Sequence, residues 1–176
     1  MSLLNIIQLG HPTLRQLAQP VTNIASDPVQ QLIDSLMATA QQAHGVGIAA
    51  PQVNHSDRLF IVASRPNLRY PQAPTMSPTA MINPELVAHG EHQVKGWEGC
   101  LSVPSIRGQV PRYTEIEVAY WDRWGDRQQQ ILSGFVARIF QHELDHLNGL
   151  VFLDRVESTA ELVSEQVYSE RQKDEG

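Results

Sequence analysis

Cysteine is the scarcest informative residue in this 176-residue chain, which carries one, Cys100. A lone thiol makes no internal disulfide, so disulfide-stapled scaffolds are excluded and Cys100 is left as an inert core thiol, a nucleophile or a metal ligand. Long hydrophobic runs are missing too. No stretch approaches the ~18 apolar residues of a membrane span, and the opening Met1-Ser-Leu-Leu-Asn-Ile-Ile-Gln lacks the marks of a signal or transit peptide. A cytoplasmic protein without a membrane partner is expected. Positive charge is short as well: a net charge of −6 and a pI near 5.6 give no electrostatic footprint for DNA. Neither an internal repeat nor a linker divides the chain. One domain over residues 1–176 is expected, with 41% hydrophobic residues to build its core.

What is present gathers around Arg138-Ile-Phe-Gln-His142-Glu143-Leu-Asp-His146-Leu-Asn-Gly149. Ser133 is placed to N-cap a helix and Gly149 to close it. Phe135, Val136, Ile139, Phe140, Leu144 and Leu147 recur between them at threes and fours. On that helix His142 and His146 leave the same face and reach one metal ion, with Glu143 beside them in the H-E-x-x-H arrangement of hydrolytic sites. The competing reading is a pair of hydrogen-bonded core histidines. Burying three polar side chains without a shared purpose, however, costs about 1–3 kcal/mol for each group left unsatisfied.

Two histidines need a third ligand. No His or Cys follows His146, which leaves an acidic residue of the last helix, such as Glu165, or Cys100 upstream. The first gives a two-His, one-Glu peptidase site and the second a Cys, two-His site. Cys100 is the better placed, in a Gly-rich segment, while Glu165 sits among other acidic residues.

Elsewhere, Asp27-Pro28-Val29-Gln30 reads as an N-cap, a proline in the first turn and a capping box. The helix they open runs to about Ala43, with Gly45 supplying a left-handed turn. Leu59–Ala63 is expected to be a buried strand, and the proline-rich stretch 63–78 an exposed, mobile, irregular loop. Thr79–Asn83 and Leu86–His89 read as two short strands, and Gly96–Ser102 as a glycine-rich loop. Thr114–Trp121 and Gln128–Leu132 form a hairpin around the turn at Asp122–Asp126. Ser158-Thr-Ala-Glu161 is read as the capping box of the last helix, docked through Leu162 and Val163. The sum is an α+β fold, with antiparallel or mixed sheets packed around a central metal-binding helix, and a C-terminal helix.

Three segments then carry a resemblance. Gly45-Val-Gly-Ile-Ala-Ala-Pro-Gln52, Glu98-Gly-Cys-Leu-Ser102 and Gln141-His-Glu-Leu-Asp-His146 resemble, in order and spacing, the signature motifs of peptide deformylase. The resemblance implies removal of the N-formyl group from the N-terminal methionine of newly synthesised polypeptides, with release of formate. It implies Cys100, His142 and His146 as ligands of one divalent metal, Fe(II) in the cell, with zinc, nickel or cobalt able to replace it. Glu143 becomes the general acid/base for a metal-bound water, and Gln52 with the backbone N–H of Leu101 an oxyanion hole. Gly45, Gly47 and Gly99 become substrate-facing, with Val46, Phe135 and Ile139 either as walls of a methionine pocket or as plain core. Glu98 and Gln141 are candidates to steady the ligands. Arg138 stands where the resemblance implies an apolar residue near that pocket. Transient ribosome contact through the C-terminal helix is also implied, although that segment is rich in Glu here.

Overall fold

The computed structural model describes residues 2–175. It has three α-helices, α1 (Asp27–Gln42), α2 (Gly134–Leu147) and α3 (Glu165–Asp174). Eight strands accompany them: β1 (Gly47–Ala49), β2 (Leu59–Val62), β3 (Thr79–His89), β4 (Gln93–Cys100), β5 (Val103–Tyr113), β6 (Glu115–Trp121), β7 (Arg127–Ser133) and β8 (Leu162–Ser164). They form a five-stranded sheet in the order β1-β2-β3-β6-β7 and a three-stranded sheet in the order β4-β5-β8. Every pairing between these strands is antiparallel, and α2 packs against strands of both sheets. The α+β architecture is as expected. No described helix is long and apolar enough to cross a membrane.

Strand β2 explains the position of the two larger cores. Successive side chains of a strand point to opposite faces, so a continuous apolar run is buried on both. Phe60 and Val62 join Met81, Val118, Ala137, Ile139 and Phe140 on the α2 side, while Leu59 and Ile61 join Leu32, Ile33 and Leu36 on the α1 side. Phe140 meets Phe60 edge to face at 5.2 Å between ring centroids, and both are fully buried. Such a pair contributes about 0.5–1.5 kcal/mol beyond the area it buries. Helix α2 is thereby held under the sheet, with its histidine face turned toward the β4–β5 hairpin.

Several local expectations are corrected. The N-cap of α1 is Ser26, one residue earlier than expected. Gln30 closes no capping box, because its Nε2 donates to the carbonyls of Ile24 and Arg123 and ties the helix to the β6–β7 turn. The left-handed residue after α1 is His44, not Gly45. The two short strands are one strand, β3, in which Asn83 takes a positive φ at a register shift. A bulge tolerates Pro84 where a regular ladder would not. The Asn83 side chain also exchanges two hydrogen bonds with the backbone of Val21.

The glycine-rich stretch before Cys100 is strand, not loop. A Cβ at Gly96 would lie 2.9 Å from the Arg138 guanidinium, and one at Gly99 would lie 2.9 Å from Cδ and Nε of Arg107. These glycines admit packed arginines and do not break the strand. At the far end, Ser158 caps only a short 3₁₀ turn at Thr159–Glu161. Leu162 and Val163 go into β8, and α3 begins at Glu165 with Ser164 as its cap. The stretch 63–78 contains no strand or helix, as expected. It is nonetheless fastened by Ser64 Oγ to the Pro74 carbonyl (2.6 Å) and by Met76 N–H to the Ser64 carbonyl (3.0 Å), with Ala73 buried beneath it.

Candidate active site

Helix α2 supplies His142, Glu143 and His146, and β4 supplies Cys100. Four-residue spacing puts His142 and His146 on one face with ring centroids 5.1 Å apart. Cys100 is the last residue of β4, where the hairpin turns back through Leu101 and Ser102. Its Sγ lies 3.3 Å from Nε2 of His146. One ligand atom from each of Cys100, His142 and His146 falls within 4.8 Å of the others, a spacing that fits a single ion. The runner-up ligand is not part of this cluster: Glu165 forms a bidentate pair with Arg107 at 2.8 and 3.1 Å.

The remaining residues frame a cleft over this cluster. Gly45, Val46, Gly47, Gln52, Gly99, Leu101, Phe135, Ile139, His142 and Glu143 all line it, while His146 is buried beneath its floor. A Cβ on Gly47 would lie 2.7 Å from Glu143 Oε1 and 2.9 Å from Ile139 Cγ2. Only glycine lets β1 approach the carboxylate so closely. Gln52 is locked: its Oε1 accepts from the Ala49 N–H at 2.9 Å, and its Nε2 faces Ser102 Oγ at 3.2 Å and Cys100 Sγ at 3.5 Å.

The charges around the cluster favour a Cys100 thiolate beside a protonated His142, whose proton a bound ion would displace. Burial alone would push the Cys100 thiol up, yet His146 and His142 beside it bring it well below the ordinary thiol range. That favours the thiolate, the form that binds metals. Burial would lower His142, but its hydrogen bonds to Cys100 and Glu98 raise it well above the usual value. Glu143 is pushed up to about 7, chiefly by burial and against the pull of the two histidines. Among the buried polar atoms, Glu143 Oε2 and His146 Nδ1 have no hydrogen-bond partner among the described residues. A buried carboxylate oxygen left unpaired costs about 1–3 kcal/mol or more, which is tolerated where a ligand or reactant satisfies it. Donor set, spacing and unpaired carboxylate together fit a divalent cation with a reacting group beside it.

Glu98 has the steadying place expected of it. Its Oε1 accepts from Nδ1 of His142 at 2.8 Å, which leaves the other ring nitrogen for the cluster. Arg112 holds the same carboxylate through Nε and Nη2 at 2.9 and 3.0 Å, and Arg138 adds a fourth donor at 2.7 Å. Burial would raise the Glu98 carboxyl, but the Arg112 charge and the His142 hydrogen bond hold it well below the carboxylate range. Arg138 lines the cleft, as the sequence led one to expect. It spends its charge on Glu98 and on the carbonyls of Val110 and Val94. Gln141 steadies no ligand; it bonds the backbone of Tyr113 and Ala137.

Sequence reasoning missed five residues at or behind the cleft. Arg69, Tyr70 and Trp97 line it, while Arg107 and Arg112 are buried behind it. Arginine is almost never fully buried without a partner, and no local pattern singles these two out.

Residues 3–161 match the family model described as polypeptide deformylase. The chain is 64% identical over 168 residues to peptide deformylase 2 of a Nostoc species, covering 96% of this chain and 94% of that one. Peptide deformylase 2 of Shewanella oneidensis is 47% identical over 152 residues, covering 86% of this chain and 83% of the other. Among solved structures, the Met-Ala-Ser-bound class I type b peptide deformylase of Acinetobacter baumannii superposes with a TM-score of 0.86 at 45% identity, covering 88% of this chain and 99% of that one. The actinonin complex of a peptide deformylase from Synechococcus elongatus gives 0.79 at 37% identity, covering 90% and 81%. A match over nearly the full length, in sequence and in backbone, shows that the chain belongs to the polypeptide deformylase family, whose members are enzymes that remove N-formyl groups.

Proposed function

We propose that the whole chain acts as one catalytic domain in the cytoplasm, hydrolysing the formyl group of formyl-Met at the N-terminus of nascent polypeptides. The observation that carries the mechanism is the buried, unpaired Glu143 carboxylate beside the Cys100, His142 and His146 cluster. A divalent ion held by those three residues, Fe(II) in the cell with zinc, nickel or cobalt as substitutes, would acidify a water and polarise the formyl oxygen. Glu143 takes the water's proton at Oε2 as the formyl carbon is attacked, then delivers a proton to the departing amine nitrogen. Burial raises this carboxyl, the direction that lets one group both take and return a proton near neutral pH. Gln52 Nε2 and the backbone N–H of Leu101 donate to the formyl oxygen as it gains charge.

Binding uses the rest of the cleft. Val46, Phe135 and Ile139 provide an apolar wall for the methionine side chain, and Gly45, Gly47 and Gly99 bring backbone close enough to pair with an extended peptide. The Met-Ala-Ser bound to the Acinetobacter relative supports a peptide that begins with methionine. Thiolate ligation makes the site softer than a carboxylate would, which supports iron as well as zinc.

The test is formate release from formyl-Met-Ala-Ser by anaerobically iron-loaded protein. Wild type should release formate, and Glu143→Gln should keep its metal but lose at least ~100-fold in kcat. No release by the loaded wild type refutes the proposal. Ribosome contact through α3 is a separate proposal, and absent or salt-independent cosedimentation with ribosomes would count against it.

A further inference from the structure

The most unusual charge in the molecule is Arg107, on β5 behind the cleft. It is fully buried, whereas its partner Glu165 is partly exposed at the start of α3. Burying a guanidinium costs several kcal/mol unless it is paired and packed. Here the packing is specific. The guanidinium carbon lies 4.9 Å from the Tyr70 ring centroid and 4.6 Å from that of Tyr168. Arg107 is thus stacked by two aromatic rings, with the Glu165 carboxylate on its Nε and Nη2.

Each neighbour of this stack leads into the cleft. Tyr70 lines the cleft and meets Phe135 at 5.4 Å between centroids. Trp97, also lining it, meets Tyr168 edge to face at 5.7 Å, with Arg171 6.0 Å from its ring centroid. Gly99, the residue before Cys100, lies against Arg107 itself. Strand β8 and helix α3 follow the residues matched by the family model. Helix α3 buries no residue of its own. A helix with so little apolar attachment is held mainly by these aromatic and ionic contacts.

We propose that α3 braces the substrate cleft, with Arg107, Glu165 and Tyr168 as positioning residues that fix Tyr70 and Trp97 against the bound peptide. The inference rests on the formyl-Met peptide reading of the same cleft. Without the brace the Tyr70 wall next to Phe135 loosens. Substrate binding then weakens while the reacting groups on α2 stay in place, which is a KM effect without a kcat effect.

The experiment compares wild type, Tyr168→Ala, Glu165→Gln and Tyr168→Phe as metal-loaded full-length proteins acting on formyl-Met-Ala-Ser. Tyr168→Ala and Glu165→Gln should raise KM about ten-fold, equivalent to about 1.4 kcal/mol, with kcat within about two-fold and metal content unchanged. Tyr168→Phe should behave as wild type, since the ring face and not the hydroxyl holds Arg107. A lowered melting temperature with unchanged KM makes the contact merely structural and overturns the proposal; joint loss of kcat and metal also overturns it. A second measurement does not depend on turnover. In a Trp121→Phe, Trp124→Phe background Trp97 is the sole tryptophan, and Tyr168→Ala should increase its quenching by acrylamide. Unchanged quenching overturns the brace. If wild type releases no formate, the functional reading fails, and the quenching result alone still decides for or against the brace.

Discussion

Replacing Glu98 with Gln keeps the side-chain shape and removes the charge at the centre of the site's support. In the native protein its two oxygens accept four hydrogen bonds: from Arg112 Nη2 and His142 Nδ1 at Oε1, and from Arg112 Nε and Arg138 Nη1 at Oε2. Whichever way a glutamine amide is turned, its NH₂ faces two of those donors, so two bonds become repulsive contacts. Breaking a buried ion pair from one side typically costs about 3–5 kcal/mol. Arg112 retains Asp145 at 2.7 Å, and Arg138 retains the Val94 and Val110 carbonyls, which places the expected cost at the lower end. A domain with an ordinary stability of about 5–15 kcal/mol survives a loss of about 3 kcal/mol as a folded protein. The assay is urea unfolding of the metal-free protein, so that metal binding to the native state does not add to the difference. Metal titration should show affinity about 10- to 100-fold weaker, because the His142 ring has lost its anchor. A stability change below about 1 kcal/mol with unchanged metal affinity would refute the reasoning, showing that Glu98 is carried by the site and does not hold it.

Gly47→Ala places a methyl group 2.7 Å from Glu143 Oε1 and should lower kcat at least ~100-fold by displacing the carboxylate, with metal content retained; near-native turnover would show that Glu143 does not need that position. Cys100→Ala should lose bound metal while Glu165→Ala keeps it, measured by metal analysis after gel filtration, and the reverse pattern would make Glu165 the third ligand after all. Asp122 tests the hairpin before α2. Burial would raise this carboxyl, but the backbone N–H groups of Trp124 and Asp126 and the Gln128 amide hold it below the usual value. A depressed folded pKa means its stabilisation is present above the unfolded value of about 3.9 and is lost as pH falls through the folded one. Asp122→Ala should therefore cost about 1 kcal/mol near neutrality and progressively less below about pH 4. A difference that stays constant with pH in urea melts would show that the charge contributes nothing.

The sequence by itself determined helix α2, because its apolar residues recur at the helical period and its two histidines follow the same period onto one face. It also determined β2 and the β6–β7 hairpin, where strand periodicity and turn residues agree. Those signals are local, spanning a few neighbouring residues. The three motifs could be aligned along the chain, but bringing Cys100 within 3.3 Å of His146, 46 residues later, took the β4–β5 hairpin folding over α2. Glycine was the residue most often misread. At Gly96 and Gly99 it marks the approach of Arg138 and Arg107 from distant segments, which no local rule distinguishes from a loop. The buried arginines were invisible for the same reason. Arg107 and Arg112 look like solvated charges until the fold supplies Glu165, Glu98 and Asp145 as partners, and a charge is buried only where its counter-charge arrives from elsewhere in the chain.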